Sequence, residues 1–592
     1  MADYQAPLKD MSFLLHDVFD VSTLWQSLPH LADHVDPETA DAILQECAKI
    51  AEQEIAPLSR NGDETGVSFN NGVVTTAPGY KEAFQTYVEG GWTALGGDVE
   101  YGGMGMPKMI TALHEEMLCG ADISFSLYPG LTAGAGLSIA KHATEELKER
   151  YLTRMYSGEW TGSMCLTESH AGTDLGMIRT KAIPQEDGSY KVTGEKIFIT
   201  AGEHDLAENI VHLVLAKLPD APAGPRGISL FLVPKILVNE DETLGEPNNV
   251  KCGSIEHKMG IHASATCVMN FDGATGYLVG ELNKGLACMF TMMNFERIGV
   301  GIQGIGAGVR SYQNALEYAK DRLQSRGLSG VKSPEKPADS IMVHGDVRRM
   351  LLNMKASNEG SRALSTYISM KLDIATYGEG EEKTKADALV ALMTPIAKAF
   401  FTDLGFESAV AGQQVFGGHG FIREWGQEQL VRDCRIAQIY EGTNGIQAMD
   451  LLARKVAGSK GELFSVFADE VKAYIAETTA ENMQEFIAPL STALADLEAL
   501  TQEVLVKAAA NPEELGTAAN DYLHVFGYTA MAYIWAIMAE KSFAKADQDE
   551  FYVSKIKTAR YFFKRMLPRT QSLILAIQAG SDVLFDIEDD LF

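Results

Sequence analysis

Near Gly162 the hydrophobic rhythm of this chain changes from the helical to the extended period, and near Gly285 it changes back, which calls for a β domain held between helical ones. Upstream, Ala40, Ile43, Leu44, Cys47, Ile50, Ala51 and Ile55 recur at helical spacing, and runs 109–117 and 133–156 resume it after a glycine-rich link at 90–105. Between the two changes lie short β-rich runs at 191–194, 197–200, 210–216, 228–233 and 265–271, separated by Gly, Asp and Pro. No helix of normal length interrupts them, so they predict a small barrel or sandwich rather than a doubly wound sheet. Downstream, four long helical periods at 285–323, 341–374, 384–416 and 444–457 predict a four-helix bundle, and a further helical region follows from 458 to 592. The expected class is α+β, mainly α: an N-terminal extension (1–37), a helical domain (38–160), a β domain (161–279), a bundle (280–457) and an appended helical domain (458–592).

A chain of 592 residues is longer than one hydrophobic core usually organises, which fits several domains. Its formal charge of −30 opposes encounter with nucleic acid or an anionic membrane, so any anionic ligand must be met by local donors. The seven cysteines, at 47, 119, 165, 252, 267, 288 and 434, form no CxxC pair and no metal-ligand spacing with His. They are expected to be reduced thiols of a cytoplasmic protein. Asp3, Lys9 and Asp10 precede any apolar run, unlike a secretory signal, and the apolar run 525–539 is shorter than the roughly 20 residues that span a bilayer. No transmembrane segment is predicted.

Two stretches stand out chemically. In Ile439-Tyr440-Glu441-Gly442-Thr443-Asn444-Gly445-Ile446-Gln447, Gly442 lets the backbone turn sharply before Thr443 or Asn444 caps a helix carrying Ile446, Met449, Leu451 and Leu452. Glu441 thus presents a carboxylate at a helix start, where an acid is also simply a good neighbour of the helix dipole. The second stretch, Met164-Cys165-Leu166-Thr167-Glu168-Ser169-His170-Ala171-Gly172-Thr173-Asp174, supplies hydroxyls and backbone amides, as a ligand cradle or a plain turn would.

Two other patterns are decoys. Gly299-Val300-Gly301-Ile302-Gln303-Gly304 fits the dinucleotide fingerprint but lacks its preceding strand, and Gly301, Gly304, Ala307 and Gly308 share one helical face, which predicts close helix packing. Lys555, Lys557, Arg560, Lys564 and Arg565, interleaved with Tyr561, Phe562 and Phe563, form a basic face expected to make salt bridges to a neighbouring domain rather than a lipid or phosphate site.

The 164–174 stretch resembles the first signature of the acyl-CoA dehydrogenase family, and 438–447 resembles the second, in the family's order. Further matches are Lys196-Ile197-Phe198-Ile199-Thr200, Lys258-Met259-Gly260, Arg297 after Phe295-Glu296, Tyr318-Ala319-Lys320-Asp321-Arg322, and Gln414-Val415-Phe416-Gly417-Gly418-His419-Gly420-Phe421, so the resemblance covers about residues 38–456. It implies a helical domain, a β domain and a four-helix bundle, FAD as cofactor, and a flavin ring flanked by Leu166, Thr167, Phe198 and Thr200, with Thr173 near the pyrophosphate and Thr443 also in reach. Arg322, Gln414, Gly417 and Gly418 match positions that reach FAD bound to a neighbouring subunit, which implies a homodimer or homotetramer, and Arg322 offers a bidentate cation for phosphate.

By the same resemblance Glu441 is the base that takes the α proton of an acyl-CoA thioester. Glu296 occupies the position from which a minority of the family supplies its base and is the alternative; Arg297 would orient or charge-balance the base. The electron acceptor implied is electron-transfer flavoprotein. Phe198 stands where tryptophan is frequent, and Gly445 replaces a larger polar residue. The opening 4–11 most resembles long bacterial members that oxidise a short thioether acyl-CoA; a medium- or long-chain fatty acyl-CoA dehydrogenase and an acyl-CoA oxidase are the alternatives.

Overall fold

The computed structural model describes residues 4–592; residues 1–3, with the Asp3 of the sequence argument, lie outside the described residues. Two compact units emerge, Glu46–Gly299 and Met1–Gln45 together with Val300–Phe592.

In the first unit, the helices Lys108–Ala121, Ile123–His142 and Glu145–Tyr156 precede the strands of the main sheet, within 160–279. Their starts are set locally: Asp122 accepts from Ser124 N at 2.8 Å, and Thr144 caps the third helix, whose first turn carries Glu145 and Glu146. The β domain is a barrel. Thr266–Val279 pairs with Tyr190–Thr200, which pairs with Lys181–Pro184; that strand meets Asn209–Lys217 at one residue pair, Lys181 with Lys217. Asn209–Lys217 then pairs with Ile228–Pro234, which returns to Thr266–Val279 and closes the ring. Closure removes the sandwich from the two sheet forms that the sequence allows. Ala182, Val192, Ile199, Val214, Phe231 and Met269 share its core. Every residue of Ile228–Pro234 is buried, which explains why this run reads as continuously apolar rather than alternating. Trp160–Cys165 runs parallel to Asn209–Lys217 and lies against the helix Ile123–His142: Thr132 Oγ1 accepts from Gly162 N at 3.1 Å, and a Cβ at Gly162 would come within 2.5 Å of Ala135 Cβ.

In the second unit, Gly345–Tyr377 and Gly380–Phe416 pack together with the helix Gly285–Asp321, most of which lies here. The GxGxxG stretch is inside that helix, as expected from its face. A Cβ at Gly304 would meet the Phe401 carbonyl at 2.6 Å, and one at Gly301 would collide with the Ala397 carbonyl, so these glycines serve helix contact. The expected fourth long helix is shorter: Asn444–Met449 passes into wider turns over Asp450–Ala457, preceded by the separate helix Gln427–Arg435. The appended region contributes Glu462–Glu477, Gln484–Ala510, Glu513–Phe543, Glu550–Tyr561 and Arg569–Gln578. Among the described residues, two helical segments, Gly380–Phe421 and Glu513–Phe543, are long and apolar enough to cross a membrane, but 78% and 89% of their apolar windows are buried within the protein, as core helices are.

The basic face near the C-terminus divides. Lys555 is buried between Asp10 of the N-terminal extension and Glu359 of the bundle, and Arg560 forks onto Glu485, whereas Lys557, Lys564 and Arg565 stay exposed. The same contacts give the extension its place: Asp17 accepts from Lys545 at 2.6 Å and from Tyr552 at 2.9 Å, and Phe13 stacks edge-on to Phe551.

Candidate active site

The sequence candidates fall into two groups, one in each unit. In Glu46–Gly299, Leu166 and Thr167 follow the strand Trp160–Cys165 into a tight turn closed by paired backbone bonds between Glu168 and Ala171. Glu168, 5% exposed, anchors this turn. Its carboxylate accepts from Arg179 N at 2.7 Å, Thr180 N at 3.0 Å, Thr180 Oγ1 at 2.6 Å and Lys196 Nζ at 2.9 Å. Lys196, fully buried, also donates to the Leu166 carbonyl at 2.9 Å. Burial works to raise the Glu168 carboxyl, but Lys196 and the Thr180 and Arg179 donors outweigh it and hold it at about 2. Burial draws the Lys196 ammonium below its ordinary value against the pull of Glu168. Their geometry is that of a buried salt bridge, Nζ to Oε1 at 2.9 Å.

Lys196 lies on the strand Tyr190–Thr200, and just beyond it the register with Thr266–Val279 slips, Lys196 facing Met269 but Ile199 facing Cys267. This bulge turns Phe198 outward with φ +58° and 60% exposure, while Ile197 N donates to the Thr167 carbonyl at 2.9 Å. A bulky residue in the left-handed region is costly and is tolerated where surroundings dictate it. Thr167, Phe198 and Thr200 are therefore carried on directly bonded segments. Thr173 is exposed further along the loop, next to Asp174, which caps the turn Leu175–Met177. An exposed aromatic plane on a strand bonded to the Thr167 backbone suits a flavin ring, and the exposed Gly172–Thr173 backbone suits a phosphate ester.

Glu296 and Arg297 sit on the helix Gly285–Asp321, 6% and 8% exposed, in the same unit. Glu296 Oε1 occupies space beside Gly134 of Ile123–His142, where a Cβ would lie 2.5 Å away, and Arg297 donates to Asn294 at 3.2 Å.

In the second unit, Glu441 and Gly442 both take left-handed backbones, φ +55° and +81°, and Thr443 caps Asn444–Met449 by accepting from Ile446 N at 3.3 Å. The cap is Thr443, as one of the two sequence alternatives has it. The turn is held from below. Gln447, fully buried, donates to the Glu441 carbonyl at 2.9 Å, and Tyr440 hydrogen-bonds Gln303. Asn444 receives Lys398 Nζ at 2.8 Å and donates to Asp403 Oδ1 at 2.7 Å; Gln438 donates to the same Oδ1 at 2.6 Å. Glu441 is half-buried and Thr443 exposed; a Cβ at Gly445 would meet nothing within 4 Å, so the missing side chain leaves open space. Arg322 follows the end of Gly285–Asp321, and Gln414, Gly417 (φ +57°) and Gly418 cluster at the end of Gly380–Phe416; all four are exposed, as groups offered to another chain must be.

Sequence reasoning named Glu168 and Lys196 only as motif members and passed over Asp403, Gln438, Asn444 and Gln447 as supports. A charged residue on an apolar strand flags Lys196 as needing a partner; nothing local flags the others.

Family models for the N-terminal, middle and C-terminal domains of acyl-CoA dehydrogenase match residues 37–159, 163–274 and 283–456, and one described as acetyl-CoA dehydrogenase C-terminal like matches 467–588. The chain is 42% identical over 571 residues to a 3-methylmercaptopropionyl-CoA dehydrogenase of Ruegeria pomeroyi, covering 95% of this chain and 96% of that protein. It is 35% identical to a butyryl-CoA dehydrogenase of Syntrophomonas wolfei over 100% and 99% of the two chains, and 33% identical to a broad-specificity linear acyl-CoA dehydrogenase of Mycobacterium tuberculosis over the full length of both. Among solved structures, Bacillus anthracis acyl-CoA dehydrogenase complexed with FAD shares the fold at TM-score 0.74 and 21% identity, over 93% of this chain and 90% of that one. Caenorhabditis elegans ACDH-11 in complex with C11-CoA does so at TM-score 0.77 and 19% identity, over 99% and 96%.

Proposed function

The chain belongs to the acyl-CoA dehydrogenase family and is an FAD-dependent oxidoreductase acting on acyl-CoA; on that premise we propose that its substrate is 3-methylmercaptopropionyl-CoA, dehydrogenated between Cα and Cβ to methylthioacryloyl-CoA. The observation that carries the choice is the 42% identity to the Ruegeria pomeroyi enzyme over 95% of this chain and 96% of that protein. A second reading, a straight-chain fatty acyl-CoA, is favoured by the full-length likeness to the butyryl-CoA and broad-specificity relatives.

In this mechanism Glu441 takes the α proton. Its left-handed turn, fixed through Gln447 and the Thr443 cap, holds the carboxylate at one place, and the Glu441 backbone N–H donates to the thioester oxygen as enolate-like charge develops. An acyl chain that excludes water strengthens such a base. FAD, when bound, accepts the β hydride. In the unit Glu46–Gly299, Leu166, Thr167, Thr173, Phe198 and Thr200 would bind it; in the other unit Thr443 is the candidate contact, and Arg322, Gln414, Gly417 and Gly418 would bind the FAD of a second copy in a homodimer or homotetramer. Arg297 keeps its charge near the site through Asn294, and Glu296 shapes the acyl pocket against Gly134. Electron-transfer flavoprotein then receives the electrons in the cytoplasm.

Anaerobic loss of flavin absorbance with a panel of acyl-CoAs, the methylthio-propionyl thioester among them, ranks the substrates; a faster butyryl-CoA reaction replaces the first reading by the second. Glu441→Gln is expected to abolish this reduction and Glu296→Gln to leave most of it; the reverse result moves the base to Glu296. Stoichiometric peroxide in air would make the enzyme an oxidase.

A further inference from the structure

The appended helix Glu513–Phe543 crosses Gly380–Phe416 where Gly527 faces Phe400, so closely that a Cβ at Gly527 would lie 2.6 Å from the Phe400 ring. Three residues on from Phe400 lies Asp403, and three back from Gly527 lies His524; their side chains meet, His524 Nε2 to Asp403 Oδ2, at 3.0 Å. The other ring nitrogen, Nδ1, lies 2.9 Å from the Asn520 carbonyl. Both nitrogens thus face oxygen acceptors, an environment only the doubly protonated ring satisfies. Glu407, one turn beyond Asp403, adds negative charge that it shares with Arg569 at 3.2 Å; Arg569 also donates to the Tyr528 hydroxyl at 2.8 Å. Burial opposes the imidazolium, yet Asp403, the Asn520 carbonyl and Glu407 raise it above its ordinary value, while His524, Gln438 and Asn444 hold the Asp403 carboxyl, against burial, below its own.

Asp403 has two oxygens and two duties. Oδ2 takes His524; Oδ1 takes both Gln438 and Asn444, the residues immediately outside Ile439–Thr443. We propose that His524 of the appended domain is a positioning residue for the dehydrogenation, its imidazolium orienting Asp403 so that Gln438 and Asn444 hold the two ends of the turn that aims Glu441. The inference rests on Glu441 being the base. It also gives the appended domain a part in the chemistry, with no contact to substrate or cofactor.

The test follows flavin reduction by saturating acyl-CoA in stopped flow, anaerobically, for wild-type holoenzyme, His524→Leu and His524→Gln between about pH 6 and about pH 9, the range in which a histidine of raised affinity for protons titrates. Glu441→Gln runs alongside. His524→Leu is expected to slow the limiting rate about tenfold at the acid end, short of the roughly 100-fold that a 1 Å misplacement can cost, with the acyl-CoA dissociation constant within about twofold of wild type. His524→Gln, which keeps a donor toward Asp403, is expected to recover most of that loss and to lack the alkaline decline expected of wild type. A Leu variant reducing flavin at the wild-type rate overturns the inference, and so does a loss confined to the dissociation constant. If the Leu variant does not fold, a Gln variant with the wild-type pH profile overturns it equally. Full flavin reduction by Glu441→Gln overturns the base assignment instead, a result separate from either His524 outcome.

Discussion

Glu168 and Asp403 do the same job in different units with different cations. Each is a carboxylate tying the backbone or side chains around a candidate turn, Glu168 with Lys196 beneath Leu166 and Thr167, Asp403 with His524 beneath Ile439–Thr443. The first pair is shut off from water, at 5% and 0% exposure, and is built on a lysine; the second is a fifth exposed and is built on a histidine, the side chain whose ordinary titration lies nearest neutral pH. The contrast separates a support that only stabilises from one that can also be adjusted by protons.

The comparison breaks most visibly at Lys196. Lys196→Met leaves Glu168 buried without its cation and is expected to cost about 3–5 kcal/mol in urea unfolding, whereas Lys196→Met with Glu168→Gln should cost less than the single change. A single variant near wild-type stability would show that the turn needs no buried ion pair.

A smaller effect separates the pairs by pH. The proton affinity of His524 is raised on folding, so its contribution is complete below its unfolded value of about 6.5 and fades as pH rises through the folded one. Glu168 is depressed, so its contribution is complete above about 4.5 and is lost only as pH falls through about 2. The stability gap in urea unfolding between wild type and His524→Leu should therefore be widest near pH 6 and narrow as pH rises through the folded value, by about 1 kcal/mol, since the pair is partly exposed. A gap independent of pH would make His524 a packing residue.

The smallest expected change is at Phe198. Phe198→Gly relieves a left-handed backbone and should be neutral or stabilising by up to about 1 kcal/mol, while weakening FAD retention through loss of the exposed ring. Net destabilisation in the apoprotein would mean that the ring packs against more than cofactor.

What the sequence disclosed follows the reach of its periodicities. The barrel strands, the long helices, the Thr443 cap and the packing role of Gly301 and Gly304 are written within a few residues of each other, and motif resemblance brought Glu441, Thr167 and Phe198 forward. The bond between Asp403 and His524 joins helices whose separate patterns read simply as buried and apolar, so nothing in either foretells it. The shortness of Asn444–Met449 was hidden likewise, because the apolar spacing through Asp450–Ala457 persists while the turn widens.

The salt link from Asp10 to Lys555 also has a meaning in time. The unit Glu46–Gly299 is one continuous stretch and can fold as it leaves the ribosome, but the extension's partner is made 545 residues after it. At roughly 5–20 residues per second the first helix waits about 30–110 s, its buried face uncovered, for the helix that will hold it. The helix Glu550–Tyr561, made long after it, is thus what allows Leu8–Ser12 to settle.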